Sequence, residues 1–260
     1  MTINTTDTVR ELAVAIPDAT RLFERLGIDY CCGGSRSLAE ACQAANVPVE
    51  EVVRSLDQTK RSASASDGSR NWSAEALTSL AAHIVDTHHV FTQQELQRLT
   101  QLLAKVCAVH GENHPELLQL QTLFARLVQD LVPHMLKEEQ VLFPYITRME
   151  EAVNQQRPVP PPFFGTVRNP VRMMMMEHDT AGEVLREIRQ VTNNLTVPPD
   201  ACISYQTLYQ ALAAFEEDLH QHIHLENNIL FPRAIEIEST AGAGLPSSFG
   251  ESHEHRCFGH

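Results

Sequence analysis

Apolar residues recur three and four positions apart over most of the chain, the period of a helix with one buried face. In the first sixty residues the runs are short. Val9, Leu12, Ala13 and Ile16 form one, and Leu22, Phe23 and Leu26 form a second, entered through Pro17 and stopped by Gly27. Ser37-Leu-Ala-Glu40 has the spacing of a capping box and opens a third; Val49, Val52, Val53 and Leu56 follow Pro48 in a fourth. Tyr30-Cys31-Cys32-Gly33-Gly34 between them reads as a turn. Residues 61–71 are small and polar, which predicts a domain boundary there, in a linker that itself carries few contacts.

Four longer helical segments follow, at about 73–109, 115–149, 170–196 and 200–237, each opened by Ser, Asn, Asp or Pro. The predicted fold is therefore all-α: a small helical domain over 1–60, a linker over 61–71, a four-helix bundle over 72–238 and a tail over 239–260.

The inward seams of the four segments carry the chemistry. The second segment runs Leu120, Phe124, Leu127, Leu131, His134, Glu138, Val141; the third Val171, Met174, His178, Ala181, Leu185, Ile188; the fourth Leu208, Leu212, Phe215, Leu219, His222, Glu226, Ile229. The first offers two strips. One is Val85, His89, Thr92, Leu96, Leu99, Leu103 and the other Leu80, Ile84, His88, Phe91, so either His89 or His88 faces inward. His110 shares the strip of His89 but lies roughly 31 Å along the helix, too far to join it. His220 and His224 flank the fourth seam and are expected to face outward or line a rim. Each segment thus turns one imidazole inward, and two add a carboxylate one turn later. A lone inward histidine is ordinarily a core residue, but unpaired buried carboxylates cost several kcal/mol each. Four imidazoles and two carboxylates converging in an apolar bundle call for concentrated positive charge, which a pair of metal ions supplies. The ligand types would accept Fe, Mn or Zn.

Composition narrows the class. The chain has 260 residues, 43% of them apolar, with 20 Lys+Arg against 33 Asp+Glu and a formal charge of -13. That excludes a disordered chain and disfavours phosphate backbones and anionic lipid as partners, so neither nucleic acid nor membrane is expected. The N-terminus lacks the cationic start and apolar run of a signal peptide, which predicts a cytoplasmic protein. The six cysteines are scattered and Cys31 and Cys32 adjoin, so no disulfide framework is expected, and Cys107 and Cys202 read as buried thiols. The tail bearing His253, His255, Cys257 and His260 reads as a terminus without a metal role. His-Glu-x-x-His, Cys-x-x-Cys, Gly-rich phosphate loops and Gly-x-Ser-x-Gly elbows are absent.

Tyr30-Cys31-Cys32-Gly33-Gly34, His134-Met-Leu-Lys-Glu138-Glu-Gln-Val-Leu-Phe-Pro144, Glu177-His178-Asp179 and His222-Ile-His-Leu-Glu226-Asn-Asn-Ile-Leu-Phe-Pro232 together resemble the iron–sulfur cluster repair di-iron proteins of the ScdA/YtfE type. The resemblance spans about residues 8–235. It implies an ScdA-type N-terminal domain joined to a hemerythrin-like bundle, with two non-haem Fe ions bridged by oxo, hydroxo or carboxylate groups. Its ligand pattern falls on His89, His134, Glu138, His178, His222 and Glu226. It further implies a cytoplasmic homodimer of the stress response that repairs clusters damaged by nitric oxide or peroxide, by donating iron to damaged iron–sulfur proteins, with Cys31 and Cys32 serving iron or cluster transfer. The alternatives are a nitric oxide or oxygen binding and sensing protein, or a nitric oxide or peroxide reductase. The Pro-rich stretch from Arg157 to Pro170 is longer than the resemblance requires.

Overall fold

The computed structural model describes residues 2–16, 18–63 and 71–243. Pro17 and the histidines and cysteine from His253 onward lie outside them. The described residues are helical without strands; an isolated bridge joins Thr8 to Ser37. The N-terminal part comprises α1 (Val9–Ala15), α2 (Ala19–Leu26), α3 (Leu38–Ala45) and α4 (Val49–Ala63), the last running into the stretch expected as linker. Thr8 with Glu11 and Ser37 with Glu40 form reciprocal capping boxes, and Gly27 ends α2 in the left-handed region at φ 65°, where a Cβ would be strained.

Four rods form the bundle. The first is α5 (Leu77–His83), a π segment (Ile84–His89) and α6 (Val90–His110); the second is α7 (Glu116–Lys137), a π segment (Glu138–Leu142) and α8 (Phe143–Asn154). The third is α9 (Arg168–Val191), and the fourth is α10 (Ile203–His224), a π segment (Leu225–Leu230) and α11 (Phe231–Ala243). The wide turns have a local cause in two rods. Pro144 and Pro232 follow them directly, and proline lacks the N–H for an i→i−4 bond and crowds the carbonyl there. The amides of Phe143 and Phe231 accordingly donate five residues back, to the carbonyls of Glu138 and Glu226.

The π segment of the first rod explains its two strips. Leu77 and Leu80 are buried before it, Ile84 and His89 at its two ends, and Thr92, Leu96, Leu99 and Leu103 after it, so each strip is the inner face on its own side of a five-residue step from Ile84 to His89. In the second rod the same widening brings Leu142 and Phe143 inward and leaves Val141, expected on the seam, half-buried.

The core falls into two apolar clusters. One joins α6, α7, the C-terminal part of α9 and α10; the other joins α5, α8, the start of α9 and α11. A layer of buried histidine and glutamate lies between them. The helix starts in the second cluster are not capped by the neighbouring residues the sequence suggested. Glu150 of α8 accepts from the amides of Leu77 and Thr78 at 2.7 and 2.8 Å, and Glu238 of α11 accepts from the amide of Val167 at 2.8 Å.

The N-terminal part does not stand clear of the bundle. Phe23, Tyr30 and Leu38 are buried in the same cluster as Leu103, Phe124 and Phe215. Fully burying a side chain of this size contributes about 1.5–3 kcal/mol, so the N-terminal helices and the bundle hold each other through a shared apolar cluster. The chain places α7 against α6 and α9, and α10 against α6. On the remaining seam, the turn from Tyr30 to Gly34 touches both α9 and the fourth rod. Gly34 is required there, since a Cβ would stand 2.9 Å from the Tyr30 carbonyl oxygen and 3.1 Å from Asn228 Oδ1.

Candidate metal centre

Between the two apolar clusters, His89, His134, Glu138, His178, His222 and Glu226 converge, all essentially inaccessible to solvent. They form two overlapping sets that share both carboxylates: His89, His222, Glu138 and Glu226 in one, and His134, His178, Glu138 and Glu226 in the other, with donor atoms within 4.8 Å of one another in each. His89 Nε2 lies 3.1 Å from His222 Nε2, and His178 Nε2 lies 3.0 Å from His134 Nε2. Glu138 Oε2 stands 3.4 Å from His89 Nε2 and 3.3 Å from His134 Nε2. Glu226 divides its oxygens, with Oε1 3.0 Å from His222 Nε2 and Oε2 3.1 Å from His178 Nε2.

Two observations show that these residues fit cations. An ion with bonds of about 2.1 Å holds adjacent donors roughly 3.0–3.4 Å apart, the separations found here. The second concerns lone pairs. His134 Nδ1 is 2.8 Å from Glu177 Oε2 and His178 Nδ1 is 2.9 Å from Asn227 Oδ1, so each imidazole donates outward and turns its Nε2 toward the other, where a proton or a cation has to sit. His89 is oriented likewise, by Glu139 Oε1 at 2.8 Å. Facing nitrogens with buried carboxylates between them repel unless positive charge, as protons or as a metal ion, intervenes. Both oxygens of Glu138 and Oε2 of Glu226 are buried without a hydrogen bond, as is His222 Nδ1.

The electrostatics follow. Burial alone would lower His178, but the Glu226 carboxylate at its Nε2 outweighs burial and pushes the imidazole up to about 9. Burial raises Glu226, yet the adjoining His222 and His178 hold it well below the usual carboxylate range. His222 is held down by burial. Glu177 drops to about 2 because it accepts from His134, with Lys137 reinforcing the effect on its other oxygen. Protons and cations thus compete for the inner nitrogens, and loading the site releases protons.

The cysteine turn adjoins one half of this centre. Cys32 Sγ lies 3.7 Å from the carbonyl oxygen of His178, and Asn227, the partner of His178 Nδ1, also donates to the Cys31 carbonyl at 3.3 Å. The Sγ atoms of Cys31 and Cys32 are 3.7 Å apart. The thiol of Cys31 donates to Cys32, which raises Cys31, with burial adding to the rise, and lowers Cys32. The hydrogen bond from Cys31 to Cys32, rather than the start of α3, sets these thiols apart. Asp29, Cys31 and Cys32 form a third group with metal-ligand spacing.

Other residues depart from expectation. His224 is buried and bonded to Asn228 at 2.8 Å, and His220 is half-buried at 2.9 Å from Glu24, because the N-terminal part covers that face of α10. Cys202 is exposed rather than buried, since it precedes α10 as its N-cap, and its Sγ lies 3.1 Å from His110 Nε2. Sequence reasoning did not single out Glu139 and Asn227 as histidine partners. Their position one residue after Glu138 and Glu226 is the signal that marks them.

Comparison with known proteins agrees with this architecture. Residues 80–234 match the hemerythrin HHE cation binding domain, and residues 5–60 match ScdA_N, a domain of unknown function (DUF542). The "Probable iron-sulfur cluster repair protein" of Haemophilus influenzae is 37% identical over 229 residues, covering 86% of this chain and 95% of that one. The "Iron-sulfur cluster repair protein YtfE" of Yersinia pseudotuberculosis is 35% identical, covering 87% and 96%, and that of Citrobacter koseri is 36% identical, covering 86% and 94%. The chain belongs to this family of iron–sulfur cluster repair proteins, with a hemerythrin HHE domain and an ScdA_N domain.

Proposed function

We propose that the protein repairs iron–sulfur clusters damaged by nitrosative or oxidative stress, by donating iron held in the bundle. The observation that carries this reading is the doubled donor set: two imidazole pairs sharing Glu138 and Glu226, set beside a pair of free thiols. On this reading His89, His134, His178 and His222 would hold two iron ions, and Glu138 and Glu226, common to both donor sets, would offer a carboxylate to each. The iron is cargo as well as structure. The family names of the relatives support the activity, and a purely gas-binding or gas-reducing protein would leave the thiols without a task.

The residues have distinct parts. The four imidazoles offer neutral nitrogens, kept in that tautomer where Glu139, Glu177 and Asn227 accept from Nδ1. Glu138 and Glu226 supply the negative charge that makes a buried cation pair tolerable. The apolar clusters on either side keep bulk water from the layer. Cys32, the thiol more readily ionised, is the first acceptor of iron leaving the His134/His178 half, and Cys31 stabilises its thiolate by donating to it. The N-terminal helices over 1–60 act as the delivering domain, and the 72–238 bundle as the store.

The test is to load the full chain with ferrous iron and incubate it with an iron–sulfur dehydratase inactivated by nitric oxide. Reactivation matched by iron loss from the donor supports donation. Nitric oxide consumption without iron loss would favour the gas-reducing alternative.

A further inference from the structure

The turn between α2 and α3 carries a donor set of its own, apart from the six residues of the centre. Cys31 Sγ lies 3.7 Å from Cys32 Sγ and 3.6 Å from Asp29 Oδ1, and donor atoms of the three residues all fall within 4.8 Å of one another. A tetrahedral cation with bonds of about 2.3 Å to sulfur and about 2.1 Å to oxygen sets two sulfurs about 3.8 Å apart, and a sulfur and an oxygen about 3.6 Å apart. The turn has those separations.

Thiol hydrogen bonds span similar distances, and two further features set this turn apart. The first is preorganisation. Asp29 Oδ1 accepts from the amides of Cys32 and Gly33, both at 3.0 Å, while Asn227 and Asn228 donate to the carbonyls of Cys31 and Tyr30 at 3.3 and 2.9 Å. The backbone of the turn is thus held from both sides, and the carboxylate is oriented by outer hydrogen bonds as the imidazoles of the centre are. The second is access. Asp29, Cys31 and Cys32 all line one cavity of about 600 Å³ bounded by α2, α9 and α10. Cys31 is buried, Cys32 half-buried and Asp29 exposed, so the three donors lead from the interior to solvent.

We propose that Asp29, Cys31 and Cys32 form a third cation site, in which two thiolates and a carboxylate take one ferrous ion and leave a coordination position open on the cavity, where a cysteine of a damaged iron–sulfur protein takes the ion over. The role in delivery rests on the iron reading above, whereas cation binding at the turn does not. Two sulfurs favour iron, cobalt or zinc over the hard magnesium and calcium ions. On binding, each thiol gives its proton to solvent and a sulfur lone pair to the cation. On hand-over the ion exchanges these sulfurs for the client's thiolates without changing its oxidation state, and Cys31 and Cys32 take protons back from solvent, so the step needs neither oxidant nor reductant.

The experiment uses the full chain, reduced and with its bundle loaded with ferrous iron, titrated anaerobically with Co2+ as the probe. The bundle centre offers nitrogen and oxygen only, so a thiolate-to-cobalt charge-transfer band in the near ultraviolet reports the turn whatever becomes of the iron reading. One further equivalent should bind, with the intensity of two thiolates. Cys31→Ser and Cys32→Ser should each halve the band at saturation, and Cys202→Ser should leave it unchanged. Asp29→Asn still accepts from the two amides; it should keep the band, weaken Co2+ binding about tenfold and slow iron transfer to an apo iron–sulfur protein about tenfold, the lower end of what outer partners of metal sites exert. Its bundle should hold the wild-type iron content. Absence of the band, its survival in both Cys31→Ser and Cys32→Ser or its loss in Cys202→Ser would overturn the proposal. So would wild-type Co2+ affinity or wild-type iron transfer in Asp29→Asn. Should a Ser variant fail to fold, Asp29→Asn carries the test alone. Failure of the wild type to hold two ferrous ions, with the cobalt band intact, would instead break the underlying iron reading.

Discussion

His134 and His178 both give their Nδ1 protons to an acceptor, Glu177 and Asn227, whereas in the other half of the centre only His89 does so, to Glu139. His222 has no partner at Nδ1. The first half is also tied to the N-terminal part, because Asn227 reaches the Cys31 carbonyl and Cys32 adjoins the His178 backbone. The second half faces His88 and a cavity beyond it. Identical donor sets therefore need not grip equally. Orientation by outer hydrogen bonds governs affinity as much as the donors themselves, so the His134/His178 half should be the tighter store and the His89/His222 half the more labile.

The largest effect should come from erasing what the halves share. Replacing Glu138 and Glu226 together by Gln removes both bridging charges, and the chain should fall from two iron ions to less than one, read by metal analysis and by loss of an exchange-coupled signal. A coupled pair in that variant would show the bridging assignment to be wrong. Asn227→Ala should level the two halves by freeing His178, weakening that half about 10–100-fold in chelator competition. If the weakened ion proved to be the one at His89 and His222, the asymmetry would run the other way.

Much of this centre was legible because four seams kept their spacing up to the histidines: Leu131, His134 and Glu138 stand on one face of α7 and its π segment, as Leu219, His222 and Glu226 do in the fourth rod. The change of register at Ile84 to His89 was visible only as two competing strips, since a regular period cannot describe both sides of a wide turn. Pro144 and Pro232 were the available sign of the other two. The seating of the N-terminal part was not legible. It depends on the side-chain amides of Asn227 and Asn228 finding the carbonyls of Cys31 and Tyr30, about 200 positions earlier in the chain, and such pairing leaves no periodic trace. The same holds for Glu150 and Glu238, which cap helices about 70 residues away.

A smaller effect tests that seating. Gly34→Ala should push the turn off Asn228 and cost about 1–3 kcal/mol. At roughly 2–4 °C per kcal/mol, a melt should show a drop of several degrees, with faster alkylation of Cys32. An unchanged melting temperature would mean that the turn shifts without strain.

The smallest effect lies at the far end of the bundle, where metal plays no part. His114 is raised by Asp200 at 3.0 Å and by Glu116 at 2.9 Å. A raised histidine stabilises the fold below its ordinary value of about 6.5, and the contribution fades as pH rises through the elevated folded value. Asp200→Asn should therefore lower the melting temperature slightly at acid pH and not at alkaline pH. A difference that persisted at alkaline pH would assign Asp200 another role.

Each wide turn stores one surplus residue. Deleting a residue between Glu138 and Leu142 would restore a regular helix and leave everything beyond it on its present face, because the five-residue step from Glu138 to Phe143 becomes a four-residue one. His134 and Glu138 would keep their places, and Phe143, Ile146 and Met149 would stay in the distal apolar cluster, drawn in by about one residue's rise. A regular helix passes a one-residue change on as a rotation of about 100°, whereas these turns take it up locally, so a lineage could gain or lose a residue there without disturbing the donors in the middle.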